Sequence, residues 1–329
     1  MKNGTRFSAK YQAGNKKAAC FVIKLNLNSK AKAGNIISGI KYGGKKIINK
    51  IKVLFELVKF EHTVFALPFA FIGLLIGADG RPETSKIILV ITAMAGARTV
   101  AMAFNRIADS AIDARNPRTK ARALPAGLIS VKSVWALIII AAAVFFTSAY
   151  ALNSVCFYLS PLAMFLLLFY SYTKRFTSMS HFVLGLTLAI APAAGFLAVN
   201  TVLTPAPVIL SASVLFWSAG FDIIYACQDV DFDKKEKLFS LPAAAGAAKA
   251  LFYSRILHFM TIAGFVLTGY LIKAKAVYYV FVIICAALLI YEHKLLKDDG
   301  LKNINTAFFN VNGLVSIAML FAVLLNYRM

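Results

Sequence analysis

VWALIIIAAAVFFTSAY, residues 134–150, carries no charge and no alternation of apolar with polar residues. A strand of a membrane barrel alternates lipid-facing with lumen-facing residues, so this run does not describe one. It describes a helix, which satisfies its own backbone hydrogen bonds in lipid and needs about 20 residues to cross. With its flanks it makes a span near 131–150. Similar runs place further spans near 53–78, 87–108, 155–173, 182–199, 207–228, 250–272, 276–294 and 306–327. Pro68, Pro192 and Gly195 fall inside spans, where neighbouring helices can re-satisfy the backbone. The expected fold class is an all-α membrane protein with nine transmembrane helices.

Composition agrees. Of 329 residues, 60% are hydrophobic and 15% charged, against roughly 45–50% and about 25% in soluble domains. A length that would otherwise suggest two soluble domains is consumed by the spans. Two regions are expected: a basic leader over 1–52 and a polytopic domain over 53–329. Residues Met1 to Lys50 hold twelve Lys or Arg and no Asp or Glu, more than half of the net charge of +22. Such a segment reads as a disordered cytoplasmic leader that helps set orientation, with affinity for anionic lipid. A transit peptide would be richer in Arg and Ser, and no cleavable signal is apparent before the first span near Val53. Without a nucleic-acid module or clustered aromatics, no nucleic acid is expected as partner, and no obligatory protein partner is evident. Cys20, Cys156, Cys227 and Cys285 lack CxxC spacing and read as reduced small hydrophobes.

Loop charge orients the bundle. Segments 109–132, 174–181, 229–249 and 294–305 are rich in Lys and Arg, whereas those after odd-numbered spans are short, balanced or uncharged. Lys273 and Lys275 are the dissenters. The positive-inside rule puts the basic loops and the N-terminus in the cytoplasm and the C-terminus outside, in a bacterial inner membrane.

The unusual polar residues share that cytoplasmic side. NRIADSAID places Asn105, Asp109 and Asp113 four residues apart, and therefore on one helix face. DVDFD repeats the spacing with Asp229 and Asp233, with Asp231 between them. Clustered carboxylates repel unless a cation joins them. Mg²⁺ suits such a set, because one or two carboxylates plus substrate phosphates commonly hold it. Two pairs would hold two Mg²⁺ around a diphosphate, and Arg106, Arg115, Arg118, Lys120 and Arg122 would take up the remaining phosphate charge. Solvated helix ends are the plainer reading of one DxxxD; two on one membrane face argue against it. Tyr170 and Lys174 are also four apart. Lys174 would meet a phosphate oxygen, and Tyr170 would hydrogen-bond it or line a cation-stabilising wall; an interfacial Tyr with a snorkelling Lys is the alternative. Asp222 lies about two turns before Asp229 and is expected to face a cavity. Glu61 and His62 read as an interfacial pair, and His181, His258 and His293 as span-edge residues without ligand spacing.

NRxxDxxxD (Asn105 to Asp113), YxxxK (Tyr170 to Lys174) and DxxxD (Asp229 to Asp233), in this order, resemble the UbiA superfamily of intramembrane aromatic prenyltransferases. The resemblance covers about residues 53–327. The phrases KFEHTVFALPFA, DARNPRTKARALPAG, YSYTKRFT and GFDIIYACQDVDFD are similar to the 4-hydroxybenzoate polyprenyltransferase branch. It implies nine helices around a central cavity with the aspartate motifs in a cytoplasmic cap. It also implies Mg²⁺-dependent transfer from a polyprenyl diphosphate to a small aromatic acid for quinone synthesis, 4-hydroxybenzoate or a dihydroxynaphthoate. By matching position, Asp109, Asp113, Asp229 and Asp233, supported by Asn105, would hold metal and diphosphate, with Tyr170 and Lys174 as the YxxxK pair. The acceptor's carboxylate would need a cation, for which Arg175 or Arg106 is the expectation. A cation-coupled transporter is the rival class. Its charged residues would lie near the midplane rather than at helix ends.

Overall fold

The computed structural model describes residues 63–298, 304 and 306–329. The expectations for the 1–52 leader, Cys20, Glu61, His62 and the part of the first span before Thr63 lie outside these residues. In chain order the helices are α1 (Thr63–Gly77), α2 (Thr84–Ala108), α3 (Ser110–Arg115), α4 (Val131–Leu152), α5 (Ser154–Thr173), α6 (Ser180–Leu197) and α7 (Pro205–Ala226). After a 3₁₀ turn (Cys227–Asp229) come α8 (Val230–Lys235), α9 (Leu241–Ala245), α10 (Ala247–Leu271) and α11 (Ala276–Asp298). A π-helical turn (Thr306–Val311) then leads into α12 (Asn312–Arg328). No strand occurs among the described residues. The protein is an all-α, multi-pass membrane bundle. Eight described helices are long and apolar enough to cross a bilayer, and α1 is a shorter apolar helix of 15 residues.

Local signals set several boundaries. Ser130 caps α4 by accepting the Ser133 N–H at 3.2 Å, the usual service of a short polar side chain at a helix start. Asn153 alone separates α4 from α5. Its Oδ1 accepts the Cys156 N–H at 2.9 Å, while its Nδ2 donates to the Leu197 carbonyl of α6 at 2.7 Å. One residue thus fixes a tight turn and the approach of a third helix.

The helices alternate in direction, and the two ends of the bundle differ. At one end single side chains tie neighbouring helix ends: Asn200 donates to Gly77 O at 2.7 Å, Lys86 to Leu152 O at 2.6 Å, and the Lys275 N–H to Asn326 Oδ1 at 2.7 Å. The other end gathers the basic loops, where Phe239 N donates to Lys174 O at 2.7 Å and ion pairs link residues 109–122 to 174–175 and 229–236.

Between the ends, α1 and α6 cross at glycines. A Cβ on Gly73 would come within 1.9 Å of Pro192 O, and one on Gly195 within 1.9 Å of Ala70 O. With little hydrophobic drive between helices in lipid, such small residues let backbones pack closely. The aromatic core centres on Trp217 of α7, whose ring lies 5.1 Å from Phe69 and 5.0 Å from Phe221. Trp217 Nε1 donates to Asn312 Oδ1 at 2.7 Å, and Asn312 Nδ2 to Glu292 Oε1 at 2.7 Å. His258 is not at a span edge as the sequence suggested. It lies inside α10, with its Nδ1 3.0 Å from His293 Nε2.

Candidate active site

The first aspartate motif keeps its helical register past the end of α2. Asp109 N donates to Asn105 O at 2.9 Å and Asp113 N to Asp109 O at 2.8 Å, so the expected stripe survives the junction with α3. Both carboxylates are buried, their side chains 4% and 6% exposed. Asp109 Oδ2 accepts from Asn105 Nδ2 at 3.2 Å and from Lys174 Nζ at 2.7 Å. Arg175 Nη2 lies 3.7 Å from Asp109 Oδ1 and donates to Ala108 O. Arg122 Nη1 reaches both oxygens of Asp113 at 2.7 Å. Burying these acids without cations would be prohibitive, and each cation comes from another segment.

The second motif also straddles a helix junction. Asp229 closes the 3₁₀ turn and Asp233 lies on the six-residue α8. Asp229 is bracketed by Arg118, which donates from Nε to Oδ1 at 3.0 Å and from Nη2 to Oδ2, while Asn116 Nδ2 donates at 3.3 Å. Burial alone would lower the Arg118 pKa, but the hydrogen bond and charge of Asp229 win and raise it above its ordinary value. Arg118 Nη1 also donates to Tyr225 Oη at 3.1 Å. Asp233 Oδ2 accepts from Ser240 Oγ at 2.8 Å. Asp231 is exposed.

A cavity of about 460 Å³ adjoins this cluster. Much of its wall is apolar, including Phe145, Leu152, Leu166 and Leu188; its polar lining comprises Arg98, Asn105, Arg106, Arg122, Tyr170, Asp222 and Tyr225 along with smaller side chains. Asn105 and Arg122 each join this lining directly to a motif aspartate.

Of the residues expected from sequence, Asn105, Arg106, Arg122 and Tyr170 therefore line the cavity. Asp109, Asp113, Asp229 and Lys174, with Arg118, form the adjoining ion-pair cluster. Arg115 is turned to Glu236 at 2.8 Å and is more than half exposed; Lys120 is exposed. Arg175 does not line the cavity, and its guanidinium lies over the Tyr172 ring at 5.0 Å. Sequence reasoning passed over Arg98, a cavity-lining cation in the middle of α2 whose buried Nε has no hydrogen-bond partner. The signal was present, since an arginine inside an apolar span is a functional suspect by default. It also missed the pairing of Asp222 with His181, at 2.7 Å.

Among the described residues, no three or more His, Cys, Asp or Glu side chains form a ready-made metal cage. Mg²⁺ does not need one, because it commonly binds through one or two carboxylates and takes its remaining ligands from phosphate and water. Asp109 Oδ1, buried and without a hydrogen-bond partner, is a hard oxygen of the right kind. The residues fit an ion that arrives with its substrate.

The model of the UbiA prenyltransferase family matches residues 66–314. A 4-hydroxybenzoate octaprenyltransferase of Francisella tularensis subsp. tularensis is 28% identical over 239 residues, spanning 72% of this chain and 83% of that protein. Among solved structures, a UbiA homolog from Aeropyrum pernix K1 is 33% identical with a TM-score of 0.73, covering 81% of this chain and 98% of its own. A UbiA homolog from Archaeoglobus fulgidus bound to GPP and Mg²⁺ shares the fold at 22% identity and a TM-score of 0.67, covering 83% and 99%.

Proposed function

The chain belongs to the UbiA prenyltransferase family, and from that premise we propose that it transfers a polyprenyl group from polyprenyl diphosphate to an aromatic acid. The acceptor we assign is 4-hydroxybenzoate, with a dihydroxynaphthoate as the alternative, both in quinone synthesis. The observation that carries this reading is an apolar cavity whose polar lining is bonded to a cluster of aspartates and cations. An isoprenoid diphosphate has the same division, an oily tail on a dense anion.

Asp109, Asp113, Asp229 and Asp233 would hold Mg²⁺, in this reading two ions, whose chemistry when bound is to neutralise charge on the leaving diphosphate. Lys174, Arg118 and Arg122 now pair with aspartates and are positioned to share phosphate oxygens, and Arg106 adds charge at the cavity wall. Such preorganised donors stabilise the negative charge that grows as the allylic carbon–oxygen bond breaks. The apolar wall keeps water from the allylic cation left behind. Tyr170 presents its ring at the cavity's polar lining, where an aromatic face stabilises positive charge.

Arg98 replaces Arg106 and Arg175 as the group assigned to the acceptor's carboxylate. A buried guanidinium nitrogen without a partner is costly, and a carboxylate would relieve that cost. In orientation, the aspartate end faces the cytoplasm by the positive-inside rule, and α1 completes a ninth crossing.

Membranes containing the full chain, supplied with Mg²⁺, labelled polyprenyl diphosphate and 4-hydroxybenzoate, test this. Transfer is expected in the parent and lost in Asp109→Ala, in Asp229→Ala and with chelator. Prenylation of the naphthoate alone would change the acceptor. Well-folded protein that transfers to neither would end the proposal.

A further inference from the structure

Asp222 stands apart from the motif aspartates. It sits within the apolar stretch of α7, seven residues before Asp229, and lines the cavity. Asp109, Asp113 and Asp229 each pair with Lys or Arg; Asp222 makes no such ion pair among the described residues. Its partner is His181 at the start of α6, with Nδ1 2.7 Å from Asp222 Oδ2.

The backbone decides how that histidine is protonated. His181 Nε2 lies 3.3 Å from the Leu241 N–H, which can only donate. Nε2 must therefore present its lone pair, and a neutral imidazole must then carry its proton on Nδ1. From there it donates to Asp222, leaving that carboxylate an acceptor. The His181 side chain is buried at 4% exposure, so the tautomer is set by protein rather than water. One Asp222 oxygen is oriented by His181, and the carboxylate borders the cavity. Tyr170 and Arg98 line the same cavity.

We propose that Asp222, oriented by His181, is the base that removes the ring proton of the prenyl acceptor. The assignment rests on the prenyl-transfer reading above. In that reaction the allylic C–O bond breaks and its electron pair leaves with diphosphate. A ring carbon beside the acceptor's hydroxyl then forms the new C–C bond, and the ring becomes cationic. Aromaticity returns when that carbon's proton passes to Asp222 and its C–H electrons re-enter the ring. No redox partner is needed, and the proton leaves Asp222 for solvent as products depart. His181 is a positioning residue that holds the carboxylate, a reversal of the arrangement in which a carboxylate orients a histidine base.

The test compares the full-length parent, Asp222→Asn, Asp222→Glu, His181→Gln and His181→Leu in membranes. Each is assayed with ordinary and ring-deuterated acceptor, and diphosphate release is followed in parallel. The parent should transfer with little isotope effect, because proton loss follows the slow step. Asp222→Asn should lose about 10²-fold in kcat and acquire a primary isotope effect, with an unchanged KM for the diphosphate. Asp222→Glu should recover part of the rate. His181→Gln, which retains a donor and an acceptor, should outperform His181→Leu. Parent-like kcat in Asp222→Asn, or a slowed variant without the isotope effect, would overturn the assignment and leave prenyl transfer intact. Absence of transfer in the parent with either acceptor would overturn both.

Discussion

Asp109, at the cap of the 25-residue α2, and Asp113, on the six-residue α3 behind it, have side chains only 4% and 6% exposed. Asp229 and Asp233 follow the 22-residue α7 in the same way, on a 3₁₀ turn and a helix also of six residues, yet Asp229 is 18% exposed and Asp233 half-buried. The two motifs share a spacing and differ in burial. Asp109 is held by Lys174 at the end of α5, and Asp113 by Arg122 of the loop after α3. Asp229 is held by Arg118 of that same loop. An equal pattern in sequence therefore need not carry equal energy: the first motif is buried in the packed structure, and the second is more exposed.

That contrast can be broken by stability measurements. Asp109→Ala should cost about 2 kcal/mol in unfolding of the detergent-solubilised protein, because the carboxylate removed is buried and is the shared acceptor of Asn105 and Lys174. Asp229→Ala should cost less than about 1 kcal/mol, since that carboxylate is already 18% exposed and Arg118 keeps Tyr225 as a partner. Equal losses would erase the distinction, whatever both variants do to transfer.

Double-mutant cycles sharpen it further. The Arg122–Asp113 pair should show a coupling of about 2 kcal/mol, near the upper part of the usual range for contacting residues. Arg118–Asp229 should show at most about 1 kcal/mol. A stronger second coupling would mean that the more exposed pair, rather than the buried one, holds the cluster together.

The smallest effect is expected at Ser240. Ser240→Ala removes the hydrogen bond to Asp233 at 2.8 Å and should cost about 1 kcal/mol or less. The sharper reading is the Mg²⁺ concentration for half-maximal transfer, which should rise as Asp233 loses its fixed orientation. An unchanged Mg²⁺ dependence would detach Asp233 from the proposed metal set.

Most spans could be read in advance because a membrane helix advertises itself locally, through length and absence of charge. α4 was expected near 131–150 and runs Val131–Leu152. The motif residues were equally visible, since a four-residue spacing fixes a shared face within one helix. Partners on other helices were not. Arg115 and Arg118 are three residues apart in one basic segment, yet one meets Glu236 and the other Asp229. Nothing in the segment's composition tells them apart. Arg98 was visible as a charge inside a span but could not be aimed, because the rotation of α2 about its axis depends on what it packs against.

Sequence alone determined the all-α membrane class, the approximate positions of most spans, the basic end of the bundle and the two aspartate motifs. These properties depend on hydropathy and helical period, which act over tens of residues or fewer. Tertiary structure decided that Lys174 meets Asp109, that Arg118 ties the second motif to the first, and that His181 reaches Asp222 across 41 positions of chain. Those outcomes follow from the angles and rotations at which helices pack. They are set by close contacts such as Gly73 against Pro192 and Gly195 against Ala70, between helices far apart in sequence.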